Sequence, residues 1–151
     1  MLRKTLYLII LLPILIVSSS QPDDIIGYWM VSKKDAIIKI YKYQNDYYGR
    51  ITWYLPSDDK TKNITKDINN PNPKLRERLL SEVNILSGFK FNGEKWDNGM
   101  VYDARSGKYY DCFIQKLSKD KIRIKAYYMF EFFGLSDEWT RVSYSVPPDF
   151  E

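Results

Sequence analysis

Three aspartates stand where paired carboxylates would do chemistry: Asp97, Asp103 and Asp111. Two carboxyl groups facing each other across a glycosidic bond can hydrolyse it, one as acid and the other as base or nucleophile. Nothing in the spacing of these three fixes such a separation, and a hairpin-turn role accounts for Asp103 more simply. A second set, Asp58, Asp59, Asp67, Asn69 and Asn70, offers the oxygen ligands that calcium prefers. It lacks the alternating ligand positions and central glycine of a calcium loop, so no metal is expected. Arg76 and Arg78 are guanidinium forks two residues apart, suited to clamping a carboxylate or phosphate, although a solvated turn is the plainer account. The chain has no histidine. That removes Ser-His-Asp and Cys-His activation, the commonest general base and the commonest metal ligand. No catalytic residue and no cofactor is assigned, and a carboxylate-dependent hydrolase remains the enzymatic alternative.

The chain around these residues opens on a leader. Arg3 and Lys4 are followed by a run, 6–17, that is apolar apart from Tyr7 and Pro13, and then by Ser18, Ser19 and Ser20. Charge, apolar core and small-residue exit make a secretory signal cut before Gln21. The run is shorter than the ~20 residues that span a bilayer, and no cysteine stands at the cut to carry a lipid. The expectation is an exported protein, periplasmic or extracellular, with no stable membrane anchor after cleavage. Removing residues 1–20 from the 151 leaves 131, enough for one domain over 21–151. Loss of Arg3 and Lys4 lowers the formal charge from +4 to +2, too little for a nucleic-acid footprint. Cys112 is the single cysteine, so no internal disulfide can form. Set beside Phe113 and Ile114, it is expected to be a buried, inert thiol.

Aromatic residues make up 16% of the chain, a density that suits strands and apolar cavities. Strand patterns run over 26–31, 36–43, 47–55, 83–91, 96–103, 108–117, 121–130 and 138–144. Short turns separate most of them, including Gln44-Asn45-Asp46 and Asn92-Gly93. Within the third run Gly49, Ile51, Trp53 and Leu55 face one way, and Tyr48, Arg50, Thr52 and Tyr54 the other. Gly49 predicts a bulge or sharp bend there. In the seventh run Ile122, Ile124, Ala126 and Tyr128 share a face. Residues 56–78 break the rhythm with Pro56, Pro71 and Pro73, and 75–80 predicts a helical turn. Asn63-Ile64-Thr65 fits a glycosylation acceptor, relevant only in a eukaryotic secretory pathway. The segment 145–151 is expected to fray. About eight strands joined by hairpins predict an all-β, antiparallel up-and-down barrel with one long polar loop; a two-sheet sandwich is the alternative.

Several stretches carry a resemblance. Ile26-Gly27-Tyr28-Trp29, Tyr47-Tyr48-Gly49-Arg50-Ile51-Thr52-Trp53, residues 96–109 and Trp139-Thr140-Arg141 resemble, in order, the exported bacterial family known as domain of unknown function 2147. Asp67-Ile68-Asn69-Asn70-Pro71 and Leu75-Arg76-Glu77-Arg78 fit the same pattern. The chain departs from it at Ala104, where the pattern has proline, at Lys125-Ala126, where it has Arg-Gly, and at Leu135, where it has a basic residue. The resemblance implies no established activity. Gly27, Trp29 and Arg141 are also similar to the lipocalin opening Gly-x-Trp and the closing arginine that packs on that tryptophan. That resemblance implies a lipocalin-like barrel with these three as a structural anchor, the guanidinium covering the indole by cation–π contact.

Two non-enzymatic functions follow from such a barrel. An interior or mouth that holds a small apolar or amphipathic ligand would be lined by Ile51, Trp53, Ile122, Ile124 and Tyr128, which otherwise simply fill the core. Alternatively the 56–78 loop would contact a cell-envelope protein through Asp67, Asn70, Arg76 and Arg78.

Overall fold

A computed structural model describes residues 19–54, 65–128 and 134–143. Most of the expected leader, the expected Asn63 acceptor, the first part of the polar loop, residues 129–133 and the tail from Tyr144 lie outside the described residues. Eight strands follow one another: β1 Gly27–Met30, β2 Ala36–Tyr43, β3 Asp46–Tyr54, β4 Asn84–Phe91, β5 Trp96–Asp103, β6 Lys108–Ser118, β7 Lys121–Tyr127 and β8 Gly134–Val142. Each pairs antiparallel with the next, and β8 returns to β1 through Tyr28↔Val142, Trp29↔Arg141 and Met30↔Thr140. The sheet is therefore a closed up-and-down barrel, as the hairpin count predicts, and the sandwich is excluded. Closure gives each of the eight strands a paired neighbour on both sides.

Alternation along the strands packs one continuous core. Trp29, Ile38, Ile40, Tyr47, Leu86, Phe89, Trp96, Cys112, Ile114, Ile122, Ile124 and Trp139 are buried in it. The β3–β4 register shifts on both sides of Gly49, the irregularity expected at that residue. A second irregularity was not expected. The β2–β3 register passes from Ile38↔Ile51 to Ile37↔Trp53, so Thr52 is an extra residue in β3. Ile51 packs against the core beside Ile38, whereas Trp53 shares the opposite face with Ile37.

Two boundaries differ from the sequence pattern by more than two residues. β7 ends at Tyr127 rather than at residue 130, and β8 starts at Gly134, four residues before the expected 138. Gly134, Leu135, Ser136 and Asp137 show no apolar alternation, yet they pair in register with Tyr127, Ala126, Lys125 and Ile124. Inward positions at an open barrel end need not be apolar, so the pattern fades while the ladder continues.

The long connection between β3 and β4 lies, from residue 65 on, against the outside of the barrel. A bridge pairs Lys66 with Leu79. Two 3-10 turns, Pro73–Leu75 and Leu80–Glu82, replace the single helical turn expected over 75–80. Leu80 and Val83 are buried with Tyr102 of β5, which points outward, in a small second cluster.

Candidate functional site

One barrel end is plugged. The segment from Gln21 to Ile26 folds across it, and Ile25 is fully buried beneath Trp29. Trp29 donates from Nε1 to the Ile25 carbonyl at 2.8 Å, and Trp96 from Nε1 to the Pro22 carbonyl at 2.8 Å. Arg141 lies over the Trp29 ring, its Cζ 4.2 Å from the centroid. Its guanidinium donates to the carbonyls of Ile26 at 2.8 Å, Asp24 at 2.5 Å and Lys119 at 3.1 Å. Gly27 makes this approach possible. Its φ of +136° is rare for other residues, and a β-carbon there would stand 2.6 Å from Arg141 Nη1. The anchor trio expected from sequence is thus one structural unit, joining the first and last strands to the plug.

Two plug carboxylates fasten the same floor. Asp23 accepts from Tyr47 Oη at 2.7 Å and Lys42 Nζ at 3.1 Å; Asp24 accepts from the Gln21 N–H at 2.8 Å and Lys116 Nζ at 2.5 Å. The Tyr47 hydroxyl, then Lys42, holds Asp23 below the ordinary carboxylate range, and the Gln21 N–H, then Lys116, does the same for Asp24. Folded values depressed in this way support the fold above the unfolded value of 3.8 and withdraw that support as pH falls through them.

The polar loop residues converge as well. Asp67 is fully buried and Asn70 nearly so. Asp67 Oδ2 accepts from Arg78 Nε at 3.0 Å, Arg78 Nη2 at 2.8 Å and Asn70 Nδ2 at 2.8 Å, while Oδ1 accepts from the Tyr102 hydroxyl at 2.5 Å. Arg76 Nε donates to the Asn70 carbonyl at 2.8 Å. Asn69 donates to the carbonyls of Ala104 and Arg105, and Gly107, at φ +68°, leaves room for the Asn69 carbonyl where a β-carbon would collide at 1.9 Å. Burial first, and then the Asp67 bond, pushes the Tyr102 hydroxyl up to about 12. The four loop residues named from sequence therefore meet, but around Tyr102, which sequence reasoning missed. Among the described residues no buried side-chain nitrogen or oxygen lacks a partner. The arrangement ties the loop to the wall, and its buried carboxylate is spent on Arg78, Asn70 and Tyr102.

The other barrel end holds a cavity of ≈ 540 Å³. Val101 and Asp103 of β5, Tyr110 of β6, Ala126 and Tyr127 of β7, Tyr128, and Gly134 and Leu135 of β8 line it, mostly with apolar surface. Tyr128 is 72% exposed and Leu135 85% exposed, so the rim presents large apolar groups to water. Of the five expected lining residues only Tyr128 is at this cavity. Ile122 and Ile124 are buried in the core, Ile51 packs against that core, and Trp53 is turned away. The run from Ile122 through Ala126 pointed toward the cavity; Leu135, in a stretch without strand pattern, stood out only as a departure from the pattern the chain resembles.

The three aspartates of the hydrolase alternative do not share this space. Asp97 pairs with Lys95 at 3.2 Å, and its register partner is the exposed Lys90. Asp111 neighbours the inward Cys112 and so faces outward. Asp103 alone lines the cavity, where it accepts from the Arg105 N–H at 3.0 Å and Ser106 Oγ at 2.6 Å. Among the described residues no three His, Cys, Asp or Glu side chains gather closely enough for a metal ion. Cys112 is fully buried, and burial pushes its thiol up to about 12.

Comparison with known proteins agrees with this architecture. Residues 27–141 match the profile described as uncharacterized protein conserved in bacteria (DUF2147), and the chain belongs to that family. A solved structure, protein HP1028 from Helicobacter pylori, described as belonging to the lipocalin family, superimposes with a TM-score of 0.65 at 23% identity. The match covers 83% of this chain and 85% of that one, and it shows a shared fold. No curated protein matches the chain. Two of the three departures from the family pattern, Ala126 and Leu135, line the cavity, and the third, Ala104, follows Asp103 at its edge.

Proposed function

We propose that this member of an uncharacterised bacterial family is an exported barrel that binds one small apolar or amphipathic molecule at its mouth. The observation that carries the reading is the ≈ 540 Å³ cavity, with apolar walls, set above a filled core. Small-molecule sites commonly occupy about 300–1,000 Å³ and combine apolar lining with few polar groups. Here Val101, Ala126 and Leu135 supply the apolar wall, and Tyr110 and Asp103 the polar handles. The likeness to a lipocalin-family structure supports this at the level of fold. The leader, 1–20, supports export. Partner binding through the loop is less favoured, because Asp67 and Arg78 are spent on each other.

Native mass spectrometry of protein taken from its own cell envelope tests both parts. The expected result is a mature chain beginning at Gln21 that carries a reproducible added mass, lost on denaturation. The variant Ala126→Phe, which fills the cavity, is expected to appear bare while still folded. A bare wild-type chain, or an added mass unchanged in that variant, would count against the mouth site. An unprocessed chain would count against export alone.

A further inference from the structure

The outer wall of β1, β2 and β3 carries a strip that neither the plug nor the mouth uses. Tyr28 pairs with Lys39, Lys39 with Arg50, and Tyr41 with Tyr48. Paired residues share a face, here opposite to Ile38 and Ile40, which are in the core. The Tyr41 and Tyr48 rings stack with centroids 6.0 Å apart, and Tyr43, 62% exposed, meets Tyr48 edge-on at 6.4 Å. Lys39 Nζ lies 5.5 Å over the Tyr28 ring, and Arg50 Cζ 5.8 Å over Tyr41. These six residues include no acid. Asp46, opposite Tyr43 at the end of the strip, is already 3.9 Å from Lys90.

We propose that this strip docks the barrel reversibly on an anionic lipid surface. Tyrosine suits that boundary because its ring is apolar and its hydroxyl reaches the headgroup level. Lysine and arginine lay their stems along apolar surface and keep their charge outward, where anionic headgroups attract it. Charge fixes the sign of the partner: Lys39 and Arg50 stand on this face without a neutralising carboxylate among the six. Shape favours lipid over protein. Headgroups adapt to a convex barrel wall, whereas a protein would have to match it with a concave one. Two cations give a salt-sensitive attachment rather than an anchor. The inference is independent of the mouth cavity, which lies elsewhere on the barrel.

Flotation of the processed chain with vesicles of phosphatidylcholine, with or without phosphatidylglycerol as roughly a third of the lipid, tests it. Binding is expected only with the anionic lipid and is expected to vanish in high salt. Lys39→Glu with Arg50→Glu is expected to weaken it by at least about tenfold, given about fivefold per charge at a lipid surface. Tyr43→Ala is expected to weaken it less while leaving melting unchanged. If the double charge reversal fails to fold, Lys39→Gln with Arg50→Gln keeps side-chain bulk and reads the same salt dependence. Binding that is absent, insensitive to salt, or equal in wild type and folded variants would overturn the proposal. So would capture of an acidic protein by this wall without any vesicle binding.

Discussion

Where Gly27 meets Arg141, the Trp29 and Trp96 indoles are fully buried and both donate to carbonyls of the plug. Where Asp103 meets Gly134, Leu135 and Tyr128 stand in water around a cavity. The same strands make both ends, so strand propensity does not explain the contrast. The plugged end has six residues of chain, from Gln21 to Ile26, folded under it and tied down by Arg141, Trp96, Tyr47 and Lys116. The cavity is lined by residues of β5 to β8 and by Tyr128 beyond β7. Stability and binding are thereby assigned to opposite ends of one core, which leaves the mouth free to carry apolar surface without carrying the fold.

If that division holds, the largest losses of stability come from the plug. Trp29→Ala removes a fully buried indole at the centre of the floor and is expected to cost about 3–5 kcal/mol. Arg141→Ala removes the cation–π contact and three charge-assisted bonds to carbonyls, with an expected cost of about 2–3 kcal/mol. Urea unfolding followed by tryptophan fluorescence measures both. An Arg141→Ala protein with unchanged midpoint and unchanged fluorescence would dissolve the contrast between the two ends.

The loop clasp stands between the extremes. Tyr102→Phe leaves Asp67 Oδ1 without its donor and is expected to cost about 1–3 kcal/mol. The same bond predicts an alkaline response. The Tyr102 hydroxyl is raised from 10.0 to about 12, so its contribution is complete below pH 10 and is lost as pH rises toward 12. Melting followed across that window should fall more steeply in the wild type than in Tyr102→Phe. Parallel curves would mean that the clasp adds little to the fold.

The parts of the molecule that were legible in the sequence are those where one local rule decides. Runs rich in apolar and aromatic residues marked at least part of all eight strands, and the Gly27, Trp29 and Arg141 spacing marked closure, because glycine tolerates that φ and a long cation reaches those carbonyls. The clasp was half legible. Asp67, Asn70, Arg76 and Arg78 stood out as polar residues in a loop, but Tyr102 is thirty-five positions from Asp67 and belongs to a strand with its own pattern. Thr52 defeated the alternation, since one extra residue turns Trp53 to the opposite face without changing the local composition. As a strand residue Leu135 was invisible for a different reason. Its strand pairs through backbone bonds at an end where side chains need not be buried, so Gly134-Leu135-Ser136-Asp137 looks like loop.

That invisibility leads to the smallest expected effect on stability and the sharpest test of the mouth. Leu135 is 85% exposed, and its backbone pairing with Ala126 does not depend on the side chain. Leu135→Asp should therefore change unfolding free energy by no more than about 0.5 kcal/mol, as for other exposed sites. A ligand seated against Ala126 and Leu135 would lose apolar contact there and gain a carboxylate to desolvate. A penalty of about 1.4 kcal/mol corresponds to a tenfold weaker complex, which displacement of a fluorescent amphipath would resolve. Stability lost on the scale of Arg141→Ala would make the mouth part of the supporting core. Binding retained at full strength would move the ligand away from β7 and β8, although the plugged end would keep its role.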